Sequence, residues 1–579
     1  MRYPTLQAQA NTQYTDEQFL GYNHNPRIGS GEFYDMKNLT SDYYPVISPR
    51  KPRGVYARTA SPQGLIAKEK LCYVDGGDFV YGDTRIAMGL STAPEDCPKE
   101  LVSMGAYVII LPDKKYIDTA DLKDYGSIEA TFTSQTGATF TLSNIDGDAI
   151  DNVESGNAAP SSPENLQYWL DTSVNPNVLK RYAQTTSQWV TVTSTYIKIG
   201  ATGIGGNFQV YDGVSISGVT VAGLESLNGS TVIWAKDTDW IVVTGILSGQ
   251  ESQTGQITVS RQMPNMDFIT ECNNRLWGCR YGEALNGEMV NEIYACKLGD
   301  FKNWNCFLGL STDSYVASCG SDGPFTGAHT LGYPLFFKEN IMHKVYGNIP
   351  SNFQIQSTSC RGVQPGCGKS MAVVNETLYY KARSGVCAYD GSLPQEISGA
   401  MGTAIYENAV GGAHGNKYYI SMEGESGWTL FVYDTAKGVW HKEDSLHATA
   451  FASYQGELYC VDDENNDIIT MLGSGSTYEE VVEWEAETGD IGLSSQEKKY
   501  IARMSVQMSV EPASTVDILI QYDQDGEWIH LAHVMGQGLR SISVPIRPRR
   551  CDHMRLLFQG RGPAKIYSIT KIVEWGSEL

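Results

Sequence analysis

Short strand-like runs recur along this chain at a nearly fixed interval. Their openings are Leu71-Cys-Tyr-Val, Ala106-Tyr-Val-Ile-Ile, Leu276-Trp-Gly-Cys, Leu335-Phe-Phe, Leu378-Tyr-Tyr, Tyr418-Tyr-Ile and Leu458-Tyr-Cys-Val, and the last three stand 40 residues apart. A period near 40 residues, built of strands alone, matches a unit of four antiparallel strands, the blade of a β-propeller. The chain is rich in glycine (59) and tyrosine (34) and lacks long amphipathic runs, which agrees with an all-β fold. The openings predict a β-propeller of about seven blades.

A second signature lies downstream of several openings. In Tyr433-Asp434-Thr-Ala-Lys-Gly-Val-Trp440 a strand ends in Tyr-Asp, turns at Lys-Gly and resumes at Trp. Asp434 is placed to cap the turn and Trp440 to wedge against a neighbouring blade. Leu298-Gly-Asp300-Phe-Lys-Asn-Trp304 and Cys387-Ala-Tyr389-Asp390 are looser versions. The pattern resembles the outer hairpin of kelch-like propellers, without their glycine pairs.

One interval breaks the rhythm. From Tyr107 to Leu276 the chain exceeds one blade by roughly 130 residues, the size of an inserted domain. Alternating runs such as Ile128-Glu-Ala-Thr-Phe-Thr and Tyr196-Ile-Lys-Ile make the insertion β, with a short helix expected near Glu164 to Leu170. After Thr477 the runs lengthen, as in Val516-Asp-Ile-Leu-Ile-Gln-Tyr, and predict a C-terminal β-sandwich. The expected divisions are an extended N-terminal arm at 1–56, the first blades at 57–120, an inserted β domain at 121–260, the remaining blades at 261–476 and the sandwich at 477–579.

The arm has neither helix nor strand periodicity, yet it is dense in aromatics, glycines and prolines. Such a segment packs against something, either this chain or a neighbour. Its order is Phe19-Leu-Gly-Tyr22, Ile28-Gly-Ser-Gly-Glu-Phe33, Asp35-Met-Lys-Asn-Leu39, Asp42, Tyr44-Pro45 and Ser48-Pro-Arg50. This opening resembles that of tailed-bacteriophage virion proteins of the β-propeller tail nozzle or tail hub type, sometimes labelled DNA-stabilisation proteins. The resemblance implies a structural tail component near the head-tail junction and located in the virion. It implies a ring of six copies beside other tail or connector proteins, with DNA only as transiting cargo. The residues expected at an arm interface are Tyr22, Phe33, Asp35, Asn38, Tyr44 and Arg50; the competing expectation for each is packing within its own chain.

The rest of the sequence is read for chemistry with few returns. A net charge of −23 argues against binding nucleic acid by phosphate neutralisation, while leaving a non-sticking conduit open. No apolar stretch suits a signal peptide or a membrane span, so assembly in a host cytoplasm without membrane insertion is expected. The twelve cysteines contain no CxxC pair and the nine histidines no HxH or HExxH pattern, so neither a metal nor a cofactor is expected. Arg361-Gly-Val-Gln-Pro-Gly-Cys-Gly-Lys369-Ser370 imitates a phosphate loop with the wrong spacing, and β sequence follows it at once. Asn144-Ile-Asp146-Gly-Asp148 and Asp523-Gln-Asp525-Gly526 resemble fragments of calcium loops without the distal Glu. No nucleophile has a recognisable partner, and the expectation is that the chain is not an enzyme. The alternative is a carbohydrate-binding or glycan-hydrolysing propeller at a tail tip, with Trp277, Trp304, Trp428 and Trp440 as stacking platforms. Paired carboxylates in a pocket would favour that alternative.

Overall fold

The computed structural model describes residues 11–92, 99–284, 287–494, 496 and 498–575. Among them there is no α-helix, only strands, turns and four 3-10 segments. Six sheets of four strands and one of five follow one another along the chain, and each contains one of the seven openings. They begin with Pro62–Ala67, Glu100–Met104, Phe268–Cys272, Gly327–Thr330, Ala372–Val374, Tyr406–His414 and Ala448–Tyr454.

The chain divides into two compact units. One runs to Leu101 and also holds Phe337–Met342 and Thr358–Leu579; the other is Val102–Phe336 with His343–Ser357. In the first unit the last sheet has three consecutive strands from the repeats, and its fourth place is taken from elsewhere, with Ser476–Thr477 as a short fifth strand beyond it. Gly54–Arg58 fills that place, pairing antiparallel with Asp467–Thr470. The first and last sheets also share a core, Leu71, Tyr73 and Val80 against Tyr459, Val461 and Ile468. Each such side chain, withdrawn fully from water, contributes about 1.5–3 kcal/mol.

The Tyr433–Trp440 hairpin forms in this unit as its residue types require. Asp434 Oδ1 accepts from the Ala436 and Lys437 amides, both at 3.1 Å, and the Gly438 amide returns to the Asp434 carbonyl at 2.8 Å. Trp440 is buried and its Nε1–H donates to the Ile397 carbonyl of the preceding sheet at 2.8 Å.

An eight-stranded sheet completes the first unit and changes the expected divisions. Its order is Asn11–Asp16, Ala564–Trp575, Lys499–Tyr522, Met554–Arg561, Glu483–Thr488, Glu32–Lys37 and Gly21–Tyr22, with Ile529–Val544 also pairing Lys499–Tyr522. Strands of the expected arm and of the expected C-terminal domain therefore share one sheet. Arm residues pair with both of its flanks, Asn11 to Asp16 opposite Glu574 to Ile569, and Phe33 to Lys37 opposite Thr488 to Glu485. Lys499–Tyr522 buries every second residue, Met504, Val506, Met508 and Val510, then Val516, Ile518, Ile520 and Tyr522. The exposed Glu511-Pro512-Ala513 between the two series, with Ala513 at φ 64°, marks where it changes partners from Ala564–Trp575 to Met554–Arg561.

In the second unit the inserted strands run from Ala130–Thr133 to Thr258–Arg261, which pair with each other. Residues 121–127 belong instead to the preceding sheet, whose fourth strand is Tyr125–Ser127. The insertion holds three sheets around one core that includes Phe140, Ile199, Phe208, Val214, Ile241 and Val259. No helix forms at 164–170. Glu164 to Gln167 is a turn and Tyr168–Asp171 is a strand, because Trp169, Leu170 and Asp171 face the interior.

Candidate functional site

The sequence motif of the arm converges on a buried ionic clasp in the first unit. Leu39–Thr40 pairs with Ser48–Pro49, and Asn38, at φ 56°, turns the chain into that pairing. Asn38 Nδ2 donates to the Glu483 carbonyl at 2.8 Å, and its Oδ1 accepts from Arg50 Nε at 2.9 Å. Arg50 then grips Glu479 with both terminal nitrogens, at 2.6 and 2.8 Å, and reaches Asp444 at 3.1 Å. Arg53 completes the set with Asp444 at 2.7 Å and Glu443 at 2.9 Å. Burial alone would raise Asp444 and Glu479, yet the two guanidiniums hold both carboxyls below their ordinary values.

The six arm residues expected at an interface sit as follows. Tyr22, Phe33, Asn38 and Arg50 are buried within their own unit. Tyr22 stacks on His24 and lies 5.5 Å from the Phe431 ring, while Phe33 packs on Phe19. Burial, with Asp35 nearby, pushes the Tyr22 hydroxyl far above its ordinary pKa. Asp35 is half-buried and pairs with Lys442 Nζ at 2.7 Å, and Tyr44 is half-buried within 6.0 Å of Lys437 Nζ. Tyr22, Phe33, Asn38 and Arg50 thus pack within their own chain, the competing expectation for each. Phe431, Glu483 and Glu479, which Tyr22, Asn38 and Arg50 meet, lie some 400 positions away in sequence, which is why reading the arm alone could not choose.

Beside the clasp is a groove of about 490 Å³ lined by Asp35, Trp428, Lys442, Glu443, Asp444, Glu485, Glu487 and Trp528, among others. Of the four tryptophans singled out from sequence, Trp277, Trp304 and Trp440 are core residues, and Trp428 alone lines this groove. It stacks on His447 at 3.8 Å. Trp528, in the C-terminal segment, is the groove residue that sequence reading missed. Burial raises the Glu487 carboxyl although Arg555 beside it at 2.9 Å pulls the other way, whereas Asp444 is lowered. Carboxylates with opposed shifts line one groove with two indoles, an arrangement able to hold a polyhydroxylated ring. A second cavity of about 470 Å³ lies between the arm turn at Pro26–Phe33 and the sheet residues Lys499, Met554, Ile569 and Lys571.

The phosphate-loop imitation is a 3-10 turn at Gly368–Ser370 whose Ser370 hydroxyl bonds the Cys367 carbonyl. The two calcium-like fragments are turns. Asn144 Oδ1 accepts the Asp146 and Asp148 amides, and Asp523 Oδ1 the Asp552 and His553 amides. Of the eleven described cysteines nine are buried, and burial pushes Cys72 up to about 12 and Cys272 to about 11. One group of described side chains, Asp517, His530 and His533, brings three potential metal-ligating atoms within 4.8 Å of one another. Among the described residues no helix is long and apolar enough to cross a membrane.

No family model matches the chain, and no curated protein matches it. Among solved structures, an exo-β-1,3-galactanase from Phanerochaete chrysosporium is 8% identical, covering 53% of this chain and 94% of its own, at a TM-score of 0.21. A glycoside hydrolase family 43 arabinoxylan arabinofuranohydrolase from Bacillus subtilis is 8% identical over 54% of this chain and 95% of its own, at 0.15. The extracellular domain of a putative hybrid two component system from B. thetaiotaomicron covers 92% of this chain and 99% of its own at 8% identity and 0.16. These findings correct one expectation. That the chain is not an enzyme does not stand, since solved structures it resembles are glycoside hydrolases. At such TM-scores the likeness assigns no activity to this chain.

Proposed function

We propose that this chain is a structural component of a bacteriophage tail, a nozzle or hub subunit that assembles with copies of itself around the path of exiting DNA. In this reading the seven sheets are the blades of a closed propeller, and the eight-stranded sheet rolls into a sandwich. The observation that carries it is the clasp. The arm residues on which the phage resemblance rests are those that lock the arm into the last sheets, through Arg50 and Arg53 on Glu443, Asp444 and Glu479. Gly54–Arg58 supports ring closure, since it supplies the last repeat with a strand from before the first. The net charge of −23 suits a wall along which phosphate slides without sticking. The test is proteomics of purified virions together with electron microscopy of tails labelled by an antibody against residues 130–261. A ring of label at the head-proximal or nozzle end supports the reading. Absence from virions, or label on peripheral fibres alone, overturns it.

A second reading, a glycan-binding or glycan-hydrolysing propeller, is favoured by one specific observation, the groove between Trp428 and Trp528 with its carboxylates. It is tested by a glycan array and by reducing-sugar release from host polysaccharide. Binding or cleavage that Trp528→Ala abolishes supports it; neither, with folded protein, removes it.

A further inference from the structure

The hairpin of Lys499–Tyr522 and Ile529–Val544 carries a feature that neither reading uses. Asp517 is directly opposite His533, and Ile518 opposite Ala532, but Leu519 is opposite His530. Leu531 is thus an extra residue on one strand, a β-bulge. The bulge decides the outcome: in a regular strand residues three apart point to opposite faces, so His530 and His533 would be separated by the sheet. With Leu531 inserted, both imidazoles come to the face of Asp517. His530 Nε2 lies 2.8 Å and His533 Nδ1 2.7 Å from the same atom, Asp517 Oδ1.

We propose that Asp517, His530 and His533 form a binding site for a divalent transition-metal ion of the zinc class. Two imidazole nitrogens and one carboxylate oxygen are a donor set for zinc, cobalt, nickel or ferrous ion rather than for calcium or magnesium, which take oxygen cages. Donors around one tetrahedral ion lie about 2.0–2.2 Å from it and so about 3.3–3.6 Å from one another, which asks each imidazole nitrogen to withdraw from Asp517 Oδ1 by roughly half an ångström or a little more. The side chains are 34%, 53% and 46% exposed in the order Asp517, His530, His533, so the remaining coordination positions face solvent. Ion pairing alone is a weak reason for such a cluster, since exposed pairs contribute about 0–1 kcal/mol. Among the described residues the strand that supplies both histidines, Ile529–Val544, pairs with Lys499–Tyr522 alone.

The test uses the full chain, freed of metal with a chelator and titrated with Zn²⁺ by calorimetry and with Co²⁺ by visible absorbance. The expected result is one Zn²⁺ per chain and a Co²⁺ spectrum of nitrogen and oxygen donors. His530→Ala and His533→Ala should each weaken binding by more than about tenfold, because losing a ligand exceeds the loss of an outer-shell partner. Both histidines are exposed, so metal-free thermal unfolding should be unchanged. Should either variant unfold, Asp517→Asn, which preserves shape, is read in its place. No Zn²⁺ bound by the native chain, or the same stoichiometry and affinity in the variants, overturns the proposal.

Discussion

Arg50 and Glu479 face each other fork to fork, with Nη1 2.6 Å from Oε2 and Nη2 2.8 Å from Oε1. Few arrangements join the first tenth of a chain to its last fifth so directly. Planar bidentate geometry is what separates Arg from Lys here, and the Arg50 side chain is only 5% exposed. Arg50→Ala is expected to cost about 3–5 kcal/mol, because three carboxylates then share one guanidinium. Arg50→Lys should recover only part of the loss. Urea unfolding of the two variants against the native chain measures both.

The same clasp sets an acid limit. Asp444 and Glu479 titrate below their ordinary values of 3.8 and 4.5 in the folded chain. Carboxyls whose folded pKa is depressed stabilise fully above their unfolded pKa and lose that contribution as pH falls through the folded one. Stability from this source is expected to be flat above about pH 4.5 and to decline below about pH 4. In Asp444→Asn the decline should be shallower, measured as the thermal midpoint across pH 3–6.

Gly21 holds the arm against the Tyr433–Trp440 hairpin. Its φ is 85°, and a Cβ there would fall inside the Trp440 carbonyl oxygen. Gly21→Ala combines a disfavoured backbone with a clash against main chain, and neither can relax by turning a side chain. The expected result is release of the strands at Gly21–Tyr22 and Glu32–Lys37. Hydrogen exchange across residues 19–37 should rise while the core around Leu71 and Tyr459 stays protected. Uniform loss of protection would mean that the arm is integral to the whole unit.

His441 supplies a second pH dependence in the same direction. It is buried, and burial followed by the nearby Lys417 pushes it down to about 4 from 6.5. The folded chain therefore keeps it neutral while the unfolded chain protonates it below 6.5. Stability falls as pH drops from 6.5 toward 4, by about 1.4 kcal/mol per pH unit at most for one group. His441→Gln should flatten the slope over that window, whatever it does to stability at pH 8.

What could be read in advance follows from the range of the interactions. The seven openings were legible because each is a local apolar run, and from Leu335 to Leu458 they repeat every 40 residues or so. The Asp434 turn was legible for the same reason. Clasp partners were not, since Glu443, Asp444 and Glu479 look like ordinary surface acids until the fold brings Arg50 and Arg53 to them. Trp428 could be named as a candidate platform, but its separation from core tryptophans such as Trp440 depends on which sheet faces it. His530-Leu-Ala-His533 escaped notice because its meaning depends on the bulge at Leu531, and a bulge leaves no composition signal.

The insertion offers a clean excision. Ala130 is the cross-strand partner of Arg261, so the two ends of the inserted domain lie side by side. Replacing residues 131–260 by Asn-Gly asks only for a two-residue turn between Ala130 and Arg261, which already stand opposite each other. The insertion keeps its own core around Phe140 and Phe208, which leaves with it. The cost falls on Asn303, which is buried and bonds Asp212 and the Gly213 amide across the insertion, at 3.0 and 2.8 Å. Asp300 remains as the partner of Asn303 at 2.6 Å, but Arg261, itself buried, loses Asp212 from its Nη1, so the loss should be about 3–5 kcal/mol rather than collapse. A soluble, cooperatively unfolding chain with that deficit is the expected outcome of calorimetry. If the shortened chain aggregates, the insertion is required by the core around Met104, Leu276 and Trp304 that it interrupts in sequence.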